Sequence, residues 1–246
     1  MACASVLSAC GGGGGSGADT PAAIAAAEGV YGGTLTGSTS TAFQILVLEN
    51  GDFWSMYGTQ GASTFGVAGF VQGTGTSSGG SFTSTNSKDF GFVPALAAST
   101  SATYDPTART ISGALTATTG VVKFTGGPIA GSLYNYSTAA ALSSVSGSWT
   151  TTSLTGERVA LTISSSGSFT ATSALGCNFS GTAVPRASGK NVFNVSLTFG
   201  ASPCALAGQP ATGIAVAYPL ASGQTQLIVA VTDSARTVGS AVFGTR

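Results

Sequence analysis

The chain has no histidine, and charged residues make up only 7% of its 246 positions, eight basic against eight acidic. Losing histidine removes the commonest general base and the commonest metal ligand. A net charge of zero excludes ordinary nucleic-acid binding, which rests on a basic surface. It also provides no attraction toward anionic lipid. No apolar run reaches the roughly 18 residues of a membrane-spanning helix. Only four cysteines are present. Two spare cysteines without histidine make half a zinc site, so neither a metal nor a cofactor is expected.

What is present points to strands. Apolar residues reach 43%, which together with low charge excludes a typical disordered chain. Glycine, serine and threonine dominate the rest and suit short strands and tight turns. Phe193, Val195, Leu197 and Phe199 alternate with Asn194, Ser196 and Thr198, the period of a half-buried strand. Val159, Leu161 and Ile163 repeat it, and Ser165-Ser166-Gly167 turns the chain before Phe169. Asn50-Gly51 between two apolar runs is a strong hairpin signal. Asp105-Pro106 and Asp233-Ser234 mark further turns, and a short helix is predicted within residues 18 to 28.

The chain also repeats itself. Gly29-Val30-Tyr31 with Leu35-Thr36-Gly37 matches Gly147-Ser148-Trp149 with Leu154-Thr155-Gly156. Gly51-Asp52-Phe53 then matches Gly167-Ser168-Phe169, and Gly73-Thr74 matches Gly181-Thr182. Converging turn chemistry is the alternative to true duplication. Short antiparallel strands must close or stack, because open edges invite aggregation. The expected fold is all-β: two tandem, small, up-and-down, calycin-like barrel units, one over residues 29–140 and one over 141–246. Tyr31 and Trp149 would plug the bottom of each. An integral outer-membrane barrel fits poorly, since it needs strands of about 9–11 residues with an outward apolar band.

Few residues invite chemistry. Gly75-Thr76-Ser77-Ser78-Gly79 has the form of a hydrolase elbow but lacks a histidine base. Gly12, Gly14 and Gly17 match a dinucleotide fingerprint with no strand before it. Lys190 after Ser188-Gly189 is expected to be solvated in a turn, and Lys88-Asp89 reads as an exposed loop pair. Glu49 and Asp52 are placed on a hairpin tip facing water. No catalytic residue is therefore assigned. Among the aromatics, Phe53 and Trp54 must point to opposite faces of their strand. Trp54 and Tyr57 are the candidate recognition residues, with core packing as the other reading of Trp54.

Leu7-Ser8-Ala9-Cys10, followed by Gly11 to Gly15, resembles the lipobox of bacterial lipoproteins. That resemblance implies lipidation at Cys10, with diacylglycerol on its sulfur and a palmitate-type acyl chain on the freed amine. Residues 1–9 would be a residual signal peptide, its basic and apolar front end lying upstream. Residues 10–28 would be a glycine-rich tether. Gly11 in place of an aspartate implies the outer membrane, with its face left open. With Cys3 in the signal and Cys10 lipidated, Cys177 and Cys204 would pair in an exported chain, free buried thiols being the alternative. The stretch from Gly147 to Gly244 resembles β-rich Gram-negative lipoproteins to which no activity is attached. A looser similarity is to surface lipoproteins of the transferrin-binding and factor-H-binding type. The expected function is a non-catalytic, membrane-anchored binding module for an unknown protein or small molecule. A structural or assembly role is the alternative, and an unfamiliar enzyme a third reading.

Overall fold

In the strand Phe193–Phe199 the four apolar side chains are buried and Asn194, Ser196 and Thr198 are exposed, which places one face inward and the other in water. That outward face is polar, the reverse of a membrane-spanning barrel. The computed structural model describes residues 26–61 and 64–246. The lipobox, Cys10 and most of the expected 18–28 helix lie outside the described residues; Ala26 to Glu28 are not helical.

The chain is almost entirely β, forming two closed eight-stranded antiparallel barrels in tandem. The first contains β1 (Gly29–Thr36), β2 (Ala42–Val47), β3 (Asp52–Gln60), β4 (Phe65–Thr74), β6 (Ser81–Asp89), β7 (Leu96–Asp105), β8 (Thr110–Ala117) and β9 (Gly120–Gly127). A short arm, β5 (Thr76–Ser78), pairs with β6. Neighbours in sequence are neighbours in space, β9 returns to β1, and β4 meets β6 through Val71↔Asp89 and Gln72↔Lys88. The second barrel runs through β10 (Gly147–Ser153), β11 (Arg158–Ile163), β12 (Ser168–Ser173), β13 (Asn178–Pro185), β14 (Phe193–Phe199), β15 (Pro210–Pro219), β16 (Thr225–Thr232) and β17 (Gly239–Thr245), which closes on β10. The matched Gly-x-aromatic segments open the first strand of each barrel, and Phe53 and Phe169 sit on the third.

Both barrels are plugged alike where the chain enters. Tyr31 donates its hydroxyl to the Ala27 carbonyl at 3.0 Å, and Trp149 donates its indole N–H to the Val145 carbonyl at 2.7 Å. Each acceptor lies four residues back and is fully buried. Arg246 adds a cap in the second barrel only: its guanidinium lies 3.9 Å from the Trp149 ring centre and donates to the Ser144 and Ser146 carbonyls. The Cys177–Cys204 disulfide ties the β12–β13 turn to the β14–β15 loop, its Cα atoms 4.6 Å apart.

The barrels are not beads on a string. An apolar cluster spans them, with Leu46, Trp54, Phe65 and Phe70 from the first meeting Ile214, Val216, Ile228 and Ala230 from the second. β2 is consequently buried at every position. Within this seam the Gln226 amide receives the Phe65 N–H at 3.3 Å and donates to the Phe65 carbonyl at 2.7 Å. The connector between the barrels is drawn in as well, with Tyr134 against Tyr218 and the Tyr136 hydroxyl donating to Glu49.

Two outcomes test this frame. Gln226→Leu strands a buried N–H and a buried carbonyl and should cost about 2 kcal/mol or more, read as a lowered urea midpoint. Replacing Cys177 and Cys204 together by serine should cost about 3 kcal/mol, the entropy of closing their loop.

Candidate functional site

Strand alternation divides β3 between two environments. Phe53, Ser55 and Tyr57 point into the first barrel, while Trp54 and Met56 point out into the seam. Tyr31, Val47, Phe53, Phe82, Tyr104 and Ile111 fill the barrel toward its plugged end. Toward the other end the inward positions are smaller, among them Ser55, Val71, Thr100 and Leu115. They leave a cavity of about 240 Å³ walled mainly by apolar side chains, with Phe43 and Phe124 packed edge-to-face at 5.4 Å. Its mouth is rimmed by residues 37–40, residues 119–122 and Phe92. Phe92, Val93 and Val121 are exposed at this end, at 45%, 79% and 49%. In the second barrel a continuous cluster that includes Phe169, Phe193 and Leu227 occupies the interior.

Asp89, at the end of β6, brings a carboxylate to this cavity. Its Oδ1 accepts the Tyr57 hydroxyl at 2.7 Å and the Gly91 N–H at 2.9 Å. Past Val71↔Asp89 the Phe90 N–H still donates to the Phe70 carbonyl at 2.8 Å, and beyond that the Tyr57 phenol lies between Gly69 and Gly91. A Cβ on Gly69 would stand 2.2 Å from that hydroxyl and one on Gly91 1.9 Å, so a side chain at either position would push the phenol from this place. Burial pushes the Asp89 carboxyl above its ordinary range, outweighing the Tyr57 and Gly91 hydrogen bonds that pull it down. Burial and the neighbouring carboxylate push the Tyr57 phenol far up, so it stays a donor. The buried Ser87 hydroxyl bonds to the Thr100 hydroxyl at 2.9 Å and donates to the Ser84 hydroxyl at 3.2 Å.

The two candidate recognition residues are thus separated. Tyr57 stands on the cavity wall, whereas Trp54 is 7% exposed and stacked on Phe70 in the seam, facing a more open cleft of about 550 Å³. The exposed-loop reading of Lys88-Asp89 is corrected. Both lie on a strand, Asp89 inward and Lys88 outward, donating to the Ala235 and Arg236 carbonyls. Parity hid this, because a bulge between Ser84 and Ser87 shifts the inward positions from even to odd numbers.

Lys190 is likewise not free in water: it pairs with Glu28 at 3.1 Å and lies over the Tyr136 ring. Glu49 pairs with Arg186 at 2.7 Å, and Asp52 accepts the Thr74 hydroxyl. Ser77, centre of the hydrolase-like pattern, receives the Ala27 N–H and holds the chain entry. Among the described residues no group of three or more acids and cysteines gathers as a metal site. No family model, no curated protein and no solved structure matches the chain.

The raised Asp89 carboxyl gives a signed expectation. In the unfolded chain it titrates near 3.8, and higher in the folded one. Between those values the folded state holds the extra proton, so this group's contribution to stability falls as pH rises. Asp89→Asn keeps an acceptor oxygen without the charge. Its stability relative to the parent should therefore improve between pH 3 and pH 7 in urea titrations. The gain should be about 1 kcal/mol or less, because solvent at the mouth screens part of the charge. A flat difference would mean that Asp89 is solvated.

Proposed function

We propose that this chain is a non-catalytic, lipid-anchored envelope protein whose first barrel binds a small, largely apolar molecule through its mouth. The cavity is the observation that carries the reading: an apolar pocket with a few convergent polar groups is the usual form of a small-molecule site. The chain enters the first barrel at Ala27, at the plugged end. A tether attached there, ending on acylated Cys10, would leave the mouth unobstructed. Two or three acyl chains would make the attachment lasting, at about 0.8 kcal/mol for each buried CH₂. Outer-membrane residence belongs to the same proposal.

The apolar rim of Phe92, Val93 and Val121 supports a second use of the same end, contact with another envelope component during delivery or release of the molecule.

Two measurements test the proposal. Metabolic labelling with a palmitate analogue should mark the parent chain and not Cys10→Ser; equal labelling removes the anchor. Native mass spectrometry of chain recovered from the envelope should find a small apolar adduct on Cys10→Ser. The adduct should vanish when Ser55→Phe, which fills the cavity, is added. Identical adducts on both proteins, or none on either, would remove the cavity from the account.

A further inference from the structure

We infer that the molecule received in the first barrel is an apolar amine, its ammonium held by the free oxygen of Asp89. The inference rests on reading the cavity as a ligand site and concerns what that site selects. Asp89 uses Oδ1 for Tyr57 and Gly91, and Oδ2 makes no hydrogen bond to any described residue. It has no counter-cation either. The ion pairs among the described residues join Glu49 to Arg186 and Glu28 to Lys190. Its sequence neighbour Lys88 turns to the outer face and is bonded to backbone carbonyls of the second barrel. Lys123, on the wall strand β9, is exposed beside inward-facing Phe124. Tyr57 is the one titratable side chain bonded to Asp89, and it donates.

A carboxylate on a mostly apolar wall without a cation is an unfinished arrangement. Its desolvation is costly, and an opposite charge brought close offsets that cost more fully than water at the mouth does. An amine with an apolar body does this while burying that body against Phe43, Ile45, Leu115 and Phe124. An anion would be repelled. A neutral alcohol would gain burial and a hydrogen bond to the carboxylate, but no pairing of opposite charges. The Thr100 hydroxyl, bonded to Ser87, is neutral and offers an ammonium a weaker contact than the carboxylate does. At about 240 Å³ the cavity falls below the roughly 300–1,000 Å³ of drug-sized sites, which favours a single ring with a short arm.

Calorimetric titration of the full chain with phenethylamine, phenethyl alcohol and phenylpropionate at neutral pH tests the inference. The amine should bind about tenfold or more tighter than the alcohol, as one charge-assisted contact provides, and the propionate not measurably. Asp89→Asn should bring the amine to the level of the alcohol and leave the alcohol unchanged. Tyr57→Phe, which keeps the carboxylate, should preserve the preference. Should Asp89→Asn fail to fold, the parent still decides: its amine preference must fade as the pH is lowered and Asp89 takes a proton. Equal binding of amine and alcohol, both abolished by Ser55→Phe, overturns the amine and leaves the cavity reading standing. No binding of any probe overturns both.

Discussion

The apolar seam between the barrels constrains every other surface of this protein. An isolated eight-stranded barrel has one wet face per strand, and its strands alternate accordingly. Here the outer faces of β2, β3 and β4 are covered by β15, β16 and β17, so those strands are apolar on both sides. The seam withdraws Trp54 and Phe70 from solvent, and it fixes which part of the first barrel stays open. With so few charges available, much of the basic complement serves the same contact. Lys88, Arg186, Lys190 and Arg236 all bond across from one barrel to the other. Glu49 is exposed, and although partial desolvation pushes its carboxyl up, the Arg186 hydrogen bond and charge more than offset that. Its pairing therefore holds above the ordinary carboxylate range and is lost as pH falls through the lowered value.

The alternating stretches could be read as strands because one face of each is wet; β11, β12 and β14 are of that kind. The same rule applied in reverse was available and more informative. Ile45-Leu46-Val47-Leu48 and Leu227-Ile228-Val229-Ala230-Val231 are unbroken apolar runs, and an unbroken run in an antiparallel barrel means cover on both faces. Read that way, they locate the seam and place Trp54 within it, since Trp54 pairs with Leu46 across β2 and β3. The disulfide was accessible by elimination. Asp89 was not, because it reaches the interior only through a bulge, and Tyr57 lies 32 residues away in sequence. No local pattern announces a contact created by barrel closure.

The two barrels share an entry plug and diverge above it. The second has a filled interior, a cross-loop disulfide and a C-terminal arginine over its tryptophan, all of which restrict movement. The first closes β4 on β6 by a short ladder, through Gln72↔Lys88, Val71↔Asp89 and the Phe90 N–H to the Phe70 carbonyl, with a phenol lying beyond it. Sites whose walls must admit a molecule are drawn from the less stable parts of a structure.

That asymmetry bears on why an acid stands at position 89. As a latch for Tyr57 and Gly91, an asparagine would suffice, since one oxygen accepts both hydrogen bonds. The carboxylate adds only a desolvation cost, unmatched by any cation among the described residues. Elsewhere Glu28 and Glu49 are each paired with a cation, while Asp52, Asp105, Glu157 and Asp233 accept hydrogen bonds at exposed turns and strand ends. Asp89 departs from both by standing without a cation on the wall of an apolar cavity, and something that enters the cavity carrying the opposite sign offsets its cost more fully than water at the mouth does. The latch explains one oxygen of Asp89; a cationic ligand explains the other.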